Sequence, residues 1–299
     1  MGKNMVLRLL EKGIEVVVWN RSPEPAKEVV KSGAIRAESL DDLISKLEPP
    51  RIIWVMVTAG ETVDELLNKL VDKLNPNDLV IDGGNSFYKD TLRRSKMLSK
   101  KGVRFMDVGT SGGIEGARHG ACIMVGGAKE DFEKIEPVLE AAAKPEAYAY
   151  LGPVGAGHFA KTIHNGIEYG MMEAIGEGAA ILKHSPFKYD LREVFRIYNT
   201  GSIIESRLIG WALNELKEDQ NLTGISSVIG SGGGAGKTKA EGHWTVDLAK
   251  KLCVDTPVIA ASVKVRDRSD QDKEDSPNWF RNKVVAAMRW QFGQHPVKK

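Results

Sequence analysis

Apolar positions fall into two regimes along the chain. Up to Gly152, short aliphatic and β-branched runs alternate with amphipathic stretches of helical period. Met5, Val6, Leu9 and Leu10 recur at helical spacing over 3–12, and Gly13 ends the run. Glu15 to Trp19 then reads as a buried strand that closes in Asn20-Arg21-Ser22. Helical stretches over 24–32 and 39–47 precede a strand from Arg51 to Val57. A helix over 61–70 puts Val63, Leu66, Leu67 and Leu70 on one side, and a strand over 78–82 ends in Gly83-Gly84-Asn85-Ser86. A basic helix over 90–101, strands at 103–108 and 121–125, a helix at 129–143 and a strand near 147–151 complete this half. Strands alternating with helices imply βαβ units, hence a mostly parallel sheet with helices on both faces. Beyond Gly152 the strand signal almost vanishes, and helical patterns run over 156–184, 190–198, 202–217, 242–253, 256–264 and 277–291. The pattern predicts an α/β domain over 1–152 and an all-helical domain over 153–299.

Composition narrows the class without naming a partner. Hydrophobic residues at 42% and charged residues at 27% are those of a soluble globular protein. Forty-two basic residues nearly balance forty acidic ones, for a formal charge of +2, so nothing argues for nucleic acid or an anionic membrane. Any anionic ligand must be held by local arrangement. Cys122 and Cys253 fit no disulfide or metal framework, which points to a reducing cytoplasm. No apolar run approaches the roughly eighteen residues of a membrane span, and Arg8 and Glu11 interrupt any signal-peptide pattern.

The densest chemistry lies in Gly155-Ala-Gly-His-Phe-Ala-Lys-Thr-Ile-His-Asn-Gly-Ile-Glu-Tyr-Gly170. On a helix each residue turns about 100°, so relative to Lys161 the positions of His164, Asn165 and Glu168 fall at about −60°, +40° and −20°. One stripe thus carries an ammonium, an imidazole, a carboxamide and a carboxylate. An exposed polar stripe with an ordinary Lys–Glu pair is the plain alternative.

Other motifs are weaker alone. A dinucleotide-binding unit normally opens with a strand running into G-x-G-x-x-G and a helix. Here the sequence reads as if from the final glycine, Gly2, directly into the helix. Arg21 ends the second expected strand, where NAD enzymes place an acid; an arginine there suits the 2′-phosphate of NADP. The loops Asp82 to Ser86 and Gly109 to Gly113 both follow strands, where backbone N–H groups meet anions, although tight turns alone would explain the glycines. Ser231-Gly-Gly-Gly-Ala-Gly-Lys-Thr238 lacks the first glycine of a P-loop and sits among helices, so it reads as a surface loop.

Taken together, Asn20-Arg21-Ser22, Asp82 to Ser86, Thr110 to Gly113, Gly157-His-Phe-Ala-Lys161, His164-Asn-Gly-Ile-Glu-Tyr-Gly170 and Arg289 to His295 resemble the decarboxylating 6-phosphogluconate dehydrogenases, in their short bacterial and archaeal form. The broader β-hydroxyacid dehydrogenases share the glycine loops, the lysine and the asparagine; His-Asn-Gly-Ile-Glu-Tyr is more particular to the phosphogluconate enzymes. The resemblance implies a Rossmann-like sheet followed by a helical domain. It also implies oxidation of 6-phosphogluconate to ribulose 5-phosphate and CO2, with NADP, or NAD, as hydride acceptor. It makes Lys161 the general base and later acid, Glu168 the acid toward carbon 1 of the enediol, and His164 and Asn165 their neighbours. A lysine suits that role with its pKa lowered toward neutrality, and the glutamate with its pKa raised. Cofactor contacts carry over to Gly2, Asn20, Arg21, Ser22, Val57 and Asn85. Substrate contacts carry over to Asn85, Ser111, Gly112, Gly113, Tyr169 and Arg266, with Arg289 and His295 supplied by a second subunit of a homodimer or homotetramer. His243 stands where the long enzymes carry a phosphate-binding lysine. No metal is implied.

Relative to that family the sequence lacks the first strand and the first two fingerprint glycines. Loss of a central strand should leave ladder bonds unmade, so a start codon placed late is the favoured explanation. Two competing readings are a dehydrogenase for a small β-hydroxy acid and a non-catalytic paralogue that binds sugar phosphate without cofactor.

Overall fold

A computed structural model describes residues 1–229 and 240–293. The chain divides into two compact units, Met1–Lys161 and Thr162–Lys299.

In the first unit the described elements run in order as α1 (Gly2–Glu11), β1 (Val17–Val18), α2 (Pro23–Val30), β2 (Ile35–Arg36), α3 (Leu40–Ser45), β3 (Ile52–Val55), α4 (Glu61–Leu70), β4 (Leu79–Asp82), α5 (Tyr88–Ser99), β5 (Arg104–Ser111), α6 (Gly113–His119), β6 (Ala121–Gly126), α7 (Lys129–Ala142) and β7 (Ala143–Gly152). Strands β3 to β7 form one sheet in sequence order. The β3–β4, β4–β5 and β6–β7 pairs are parallel, and only β5–β6 is antiparallel. Alternate residues of the central strands point into two cores. Leu79, Ile81, Met106 and Val108 face Met5, Leu9, Ile135 and Leu139 of α1 and α7. Val80 and Phe105 face Val63, Leu67, Leu70 and Leu98 of α4 and α5. A sheet buried on both faces explains why its strands read as continuous apolar runs.

The expected strand from Glu15 to Trp19 shrinks to two residues, both half-buried, that pair only with β2. β1 and β2 form a separate two-stranded sheet, and β3 pairs on one side only, with β4. Among the described residues β1 and β3 share no partner strand.

In the second unit, α8 (Ala156–Lys183) continues past Lys161 and is followed by α9 (Leu191–Tyr198), α10 (Arg207–Glu218), α11 (Glu241–Lys251), α12 (Pro257–Asp267) and α13 (Pro277–Gly293). No β-strand is found there among the described residues. Helix α13 is its axis. Every residue from Phe280 to Arg289 is buried, and Val284 to Met288 join the core with Phe195, Leu208, Leu213 and Leu216. Gly176 of α8 lets that helix close on α13, since a methyl group there would stand 2.8 Å from Val285 Cγ2. No described helix is long and apolar enough to cross a membrane.

Candidate active site

Helix α8 carries the densest group of expected site residues, and its first turn is pinned by backbone chemistry. Asp107, fully buried on β5, accepts the Gly155 N–H at 2.6 Å through Oδ1 and the His158 N–H at 2.7 Å through Oδ2. A carboxylate on these N–H groups satisfies donors that a helix start leaves open and complements its dipole. His158 is itself buried, with Nδ1 2.7 Å from Thr91 Oγ1. Gly157 lies on the strands so closely that a methyl group would stand 2.5 Å from the Met124 carbonyl oxygen. Lys161 follows one turn on, 8% exposed, with its Cβ against Gly109 of β5.

Farther along α8, His164 Nδ1 lies 3.1 Å from Asn165 Oδ1 and 3.7 Å from Glu168 Oε2. His164 and Glu168 are half-buried and Asn165 is buried. Helix α11 crosses here. Gly166 abuts Thr245, whose hydroxyl donates to the Thr162 carbonyl at 2.7 Å.

Tyr169 begins a second group. Its ring is buried and carries the Arg266 guanidinium 3.4 Å above its centroid. Burial pushes the phenol's pKa up, so Tyr169 stays a neutral hydrogen-bonding hydroxyl. Arg266, from α12, donates Nε–H to Glu173 Oε1 at 3.1 Å. Arg289, from α13, is also buried; burial first, then the like charge of Arg266, pulls it down to about 10, while Tyr169, Glu241 and Glu168 act the other way. It remains a cation at neutral pH. The resemblance implied an Arg289 delivered by a second subunit; within this chain Arg289 lies in the field of Arg266, Tyr169 and Glu168. Helix α13 is the buried axis of the unit, and Arg289 in its later turns lies near α12 and α8. His295 and the 231–238 loop lie outside the described residues. His243 Nε2 lies 3.0 Å from Asp267 Oδ2, so a carboxylate takes the imidazole at the position where a phosphate ligand was sought.

In the first unit, Val57 and Asn85 follow β3 and β4 and Ser111 ends β5, at the carboxyl ends of these parallel strands, where open α/β sheets hold ligands. Gly84 packs on the Val57 carbonyl oxygen, 3.0 Å from where its Cβ would be. Beneath Asn85, a fully buried Arg94 that the sequence does not advertise holds the loop. It donates to Asp82 Oδ2 at 3.2 Å and Ser86 Oγ at 3.1 Å, and reaches Asp64 Oδ1 at 2.8 Å and the Gly60 carbonyl at 2.9 Å. Gly112 and Gly113 both take positive φ, +117° and +66°, which only glycine adopts freely in succession. Gly2 starts α1 against Met56.

Asn20, Arg21 and Ser22 form an exposed turn, with Asn20 Nδ2 donating to the Ser22 carbonyl at 2.7 Å. Asn20 and Arg21 line a cleft of about 570 Å³ together with Arg36, Glu38, Lys69 and Lys73. Arg36 is matched by Glu38 and Lys73 by Asp41, which leaves Arg21 and Lys69 as cations without an ion pair among the described residues. A cleft with two such cations suits the phosphorylated adenosine end of a dinucleotide. No cluster of three or more metal-ligating side chains occurs among the described residues.

The family profile described as the NAD binding domain of 6-phosphogluconate dehydrogenase matches residues 1–152, and that of the 6-phosphogluconate dehydrogenase C-terminal domain matches residues 157–297. The chain belongs to the 6-phosphogluconate dehydrogenase family. That family is one of oxidoreductases using NADP or NAD, and the Rossmann-like sheet followed by a helical unit is its fold. The Bacillus subtilis protein YqeC, itself only provisionally named a 6-phosphogluconate dehydrogenase, is 42% identical over 299 residues, covering 100% of this chain and 96% of the relative. The NAD(+)-dependent decarboxylating 6-phosphogluconate dehydrogenase of Haloferax volcanii is 34% identical over 300 residues, with coverages of 100% and 96%. Among solved structures, Plasmodium falciparum 6-phosphogluconate dehydrogenase, studied with NADP+ and with 6-phosphogluconate, superposes with a TM-score of 0.81 at 31% identity over 96% of this chain and 68% of that one.

Proposed function

We propose that this protein oxidises and decarboxylates 6-phosphogluconate to ribulose 5-phosphate and CO2, with NADP as the preferred hydride acceptor. The observation that carries this reading is the grouping of Tyr169, Arg266 and Arg289 in the unit through which α8 runs, the helix that also bears Lys161, Asn165 and Glu168. Two buried guanidiniums and a neutral phenol make an anion pocket suited to a phosphate group. A small, unphosphorylated β-hydroxy acid has nothing to place there.

When bound, the nicotinamide cofactor supplies an acceptor for the hydride that leaves carbon 3. Lys161, as the neutral amine, takes the proton of the 3-hydroxyl, which Asn165 holds in place. The carbon 1–carbon 2 bond of the resulting keto acid then breaks to release CO2. Its electron pair forms the enediol, and Lys161 returns its proton to the carbon 3 oxygen. Glu168 protonates the carbon that lost CO2 while Lys161, again the neutral amine, takes the proton back from the enol oxygen, which gives the ketose. The turn at Ser111, Gly112 and Gly113 and the side chain of Asn85 hold the carboxyl end of the substrate. Tyr169, Arg266 and Arg289 hold the phosphate. Arg21, with Asn20 and Ser22, would hold the 2′-phosphate of NADP, and Gly2, Val57 and Asn85 would contact the rest of the cofactor.

The test is NADPH formation and CO2 release from 6-phosphogluconate, compared with an unphosphorylated 3-hydroxy acid. We expect kcat/KM for the phosphorylated substrate to be higher by about a hundredfold or more, since a site built for a charged group rejects an analogue that lacks it. Equal or reversed preference would overturn the assignment.

A further inference from the structure

Glu173 lies one helical turn beyond Tyr169, so the two side chains are neighbours on the same face of α8. Only 3% of the residue is exposed, and it was not among the residues that the resemblance brought forward. One carboxylate oxygen accepts from Arg266 Nε at 3.1 Å; the other is buried and has no hydrogen-bond partner among the described residues. Helix α8 therefore supplies both surfaces that Arg266 rests on, the Tyr169 ring beneath the guanidinium and the carboxylate at its edge. A half-satisfied buried carboxylate is costly, and a neutral amide could accept the same hydrogen bond at lower cost. What the amide could not supply is a negative charge beside two clustered arginines, Arg266 and Arg289.

We infer that Glu173 is a positioning residue of the anion pocket: it fixes the Arg266 guanidinium edge-on and flat against Tyr169, and offsets part of the charge that Arg266 presents to Arg289. The inference deepens the reading of this pocket as the site of the substrate phosphate, and rests on it. Glu173 takes Nε, while Nη2 has Met172 Sδ at 3.9 Å, a weak acceptor that a phosphate oxygen would displace. Glu173 also lets two like charges be buried together before any anion arrives, so that the pocket is preorganised for it. Burial pushes the Glu173 carboxyl up, and the adjoining Arg266 offsets that only in part.

The experiment titrates inorganic phosphate into the full-length protein, following thermal protection or calorimetric heat, and measures kcat and KM with 6-phosphogluconate for wild type, Glu173→Gln, Glu173→Asp and Glu173→Leu. Glu173→Leu and Glu173→Asp remove or shorten the contact to Nε, and each should weaken phosphate binding and raise the sugar-phosphate KM by about tenfold, with kcat and the KM for NADP unchanged. Glu173→Gln keeps an acceptor and should restore phosphate affinity to within about threefold of wild type, at some loss of thermal stability. If Glu173→Leu does not fold, Glu173→Asp decides the matter by the same readouts. Wild-type phosphate affinity in a folded Asp or Leu variant would overturn the inference, as would equal loss of kcat in all three. A wild-type protein that binds no phosphate would overturn it together with the pocket assignment. A protein that binds phosphate but does not oxidise 6-phosphogluconate would refute the proposed reaction alone, and the phosphate titration would still judge Glu173.

Discussion

Gly109 on β5 lies against Lys161 on α8 so closely that a methyl group on Gly109 would stand 2.5 Å from Lys161 Cβ and 3.0 Å from the Gly157 carbonyl oxygen. The first turn of α8 is meanwhile tied to β5 by the Asp107 carboxylate, two residues earlier on the same strand. Helix and strand are thus held in contact by hydrogen bonds that have little slack. Gly109→Ala should force Lys161 aside without removing any functional group. We expect a destabilisation of about 1–3 kcal/mol from overpacking and a fall in kcat of about a hundredfold, the order that a 1 Å misplacement costs. Steady-state kinetics on a variant with wild-type circular dichroism is the check, and unchanged kcat would mean that the position of Lys161 is not critical.

The roles of the α8 side chains separate in the two half-reactions. Lys161→Met should lower kcat by about 10²–10⁴-fold, the usual worth of a general base, while leaving phosphate binding within about twofold because the pocket of Tyr169, Arg266 and Arg289 is untouched. Glu168→Gln should also lower kcat, but its block comes after CO2 release. Solvent-deuterium incorporation at carbon 1 of the ribulose 5-phosphate formed is therefore the discriminating measurement. Full-rate stereospecific incorporation in Glu168→Gln would remove the glutamate from the proton-transfer step.

Much of this arrangement was legible in the sequence because it depends on period and spacing. The alternation of strands and helices, the change to helices alone after Gly152 and the single-face grouping on α8 all follow from local pattern. What escaped depends on tertiary partners. Helix α6 begins at Gly113 and contains Gly116, weak helix formers that read as loop, yet Gly116 N–H bonds the Gly112 carbonyl at 2.8 Å and packs on Ser111. Strand β2 has only two residues and no run to betray it. Asp107, Arg94 and Glu173 are buried charges whose partners are remote in sequence, 48, 30 and 93 residues away respectively for Gly155, Asp64 and Arg266. No motif of one or two turns could pair them. The burial of Arg289 escaped for the same reason, since a terminal helix looks like a tail until its burial is known.

Arg21 sets a test of cofactor choice. It lines the cleft beside Asn20 and Lys69 and makes no ion pair among the described residues, so its charge is available to a 2′-phosphate. Arg21→Ala should raise the KM for NADP by about tenfold to a hundredfold, the worth of a charge-assisted pair, and should leave the KM for NAD nearly unchanged. The ratio of the two specificity constants is the measured quantity. Equal loss with both cofactors would show that Arg21 shapes the cleft rather than reading the phosphate.

Asp78 sets a test of acid stability. It is fully buried at the start of β4, where its carboxylate accepts Arg51 N–H at 2.8 Å and Asn75 N–H at 2.9 Å and pairs with the Arg51 guanidinium at 3.0 Å. Burial alone would raise its pKa; the two N–H groups and the guanidinium outweigh burial, and the net shift is downward. A carboxyl that is more acidic folded than unfolded contributes stability that is fully present above its unfolded value, near 3.8, and is lost as the pH falls through the lower folded value. At pH 7 Asp78→Asn should therefore destabilise the protein by about 1–3 kcal/mol, through the lost charge and a donor facing donors. The gap to wild type should hold down to the unfolded pKa and close below it, where the wild-type carboxyl takes up its proton. Denaturant melts of both proteins between pH 7 and about pH 2 give the difference directly. A gap that stays constant into acid would mean that Asp78 contributes by packing alone.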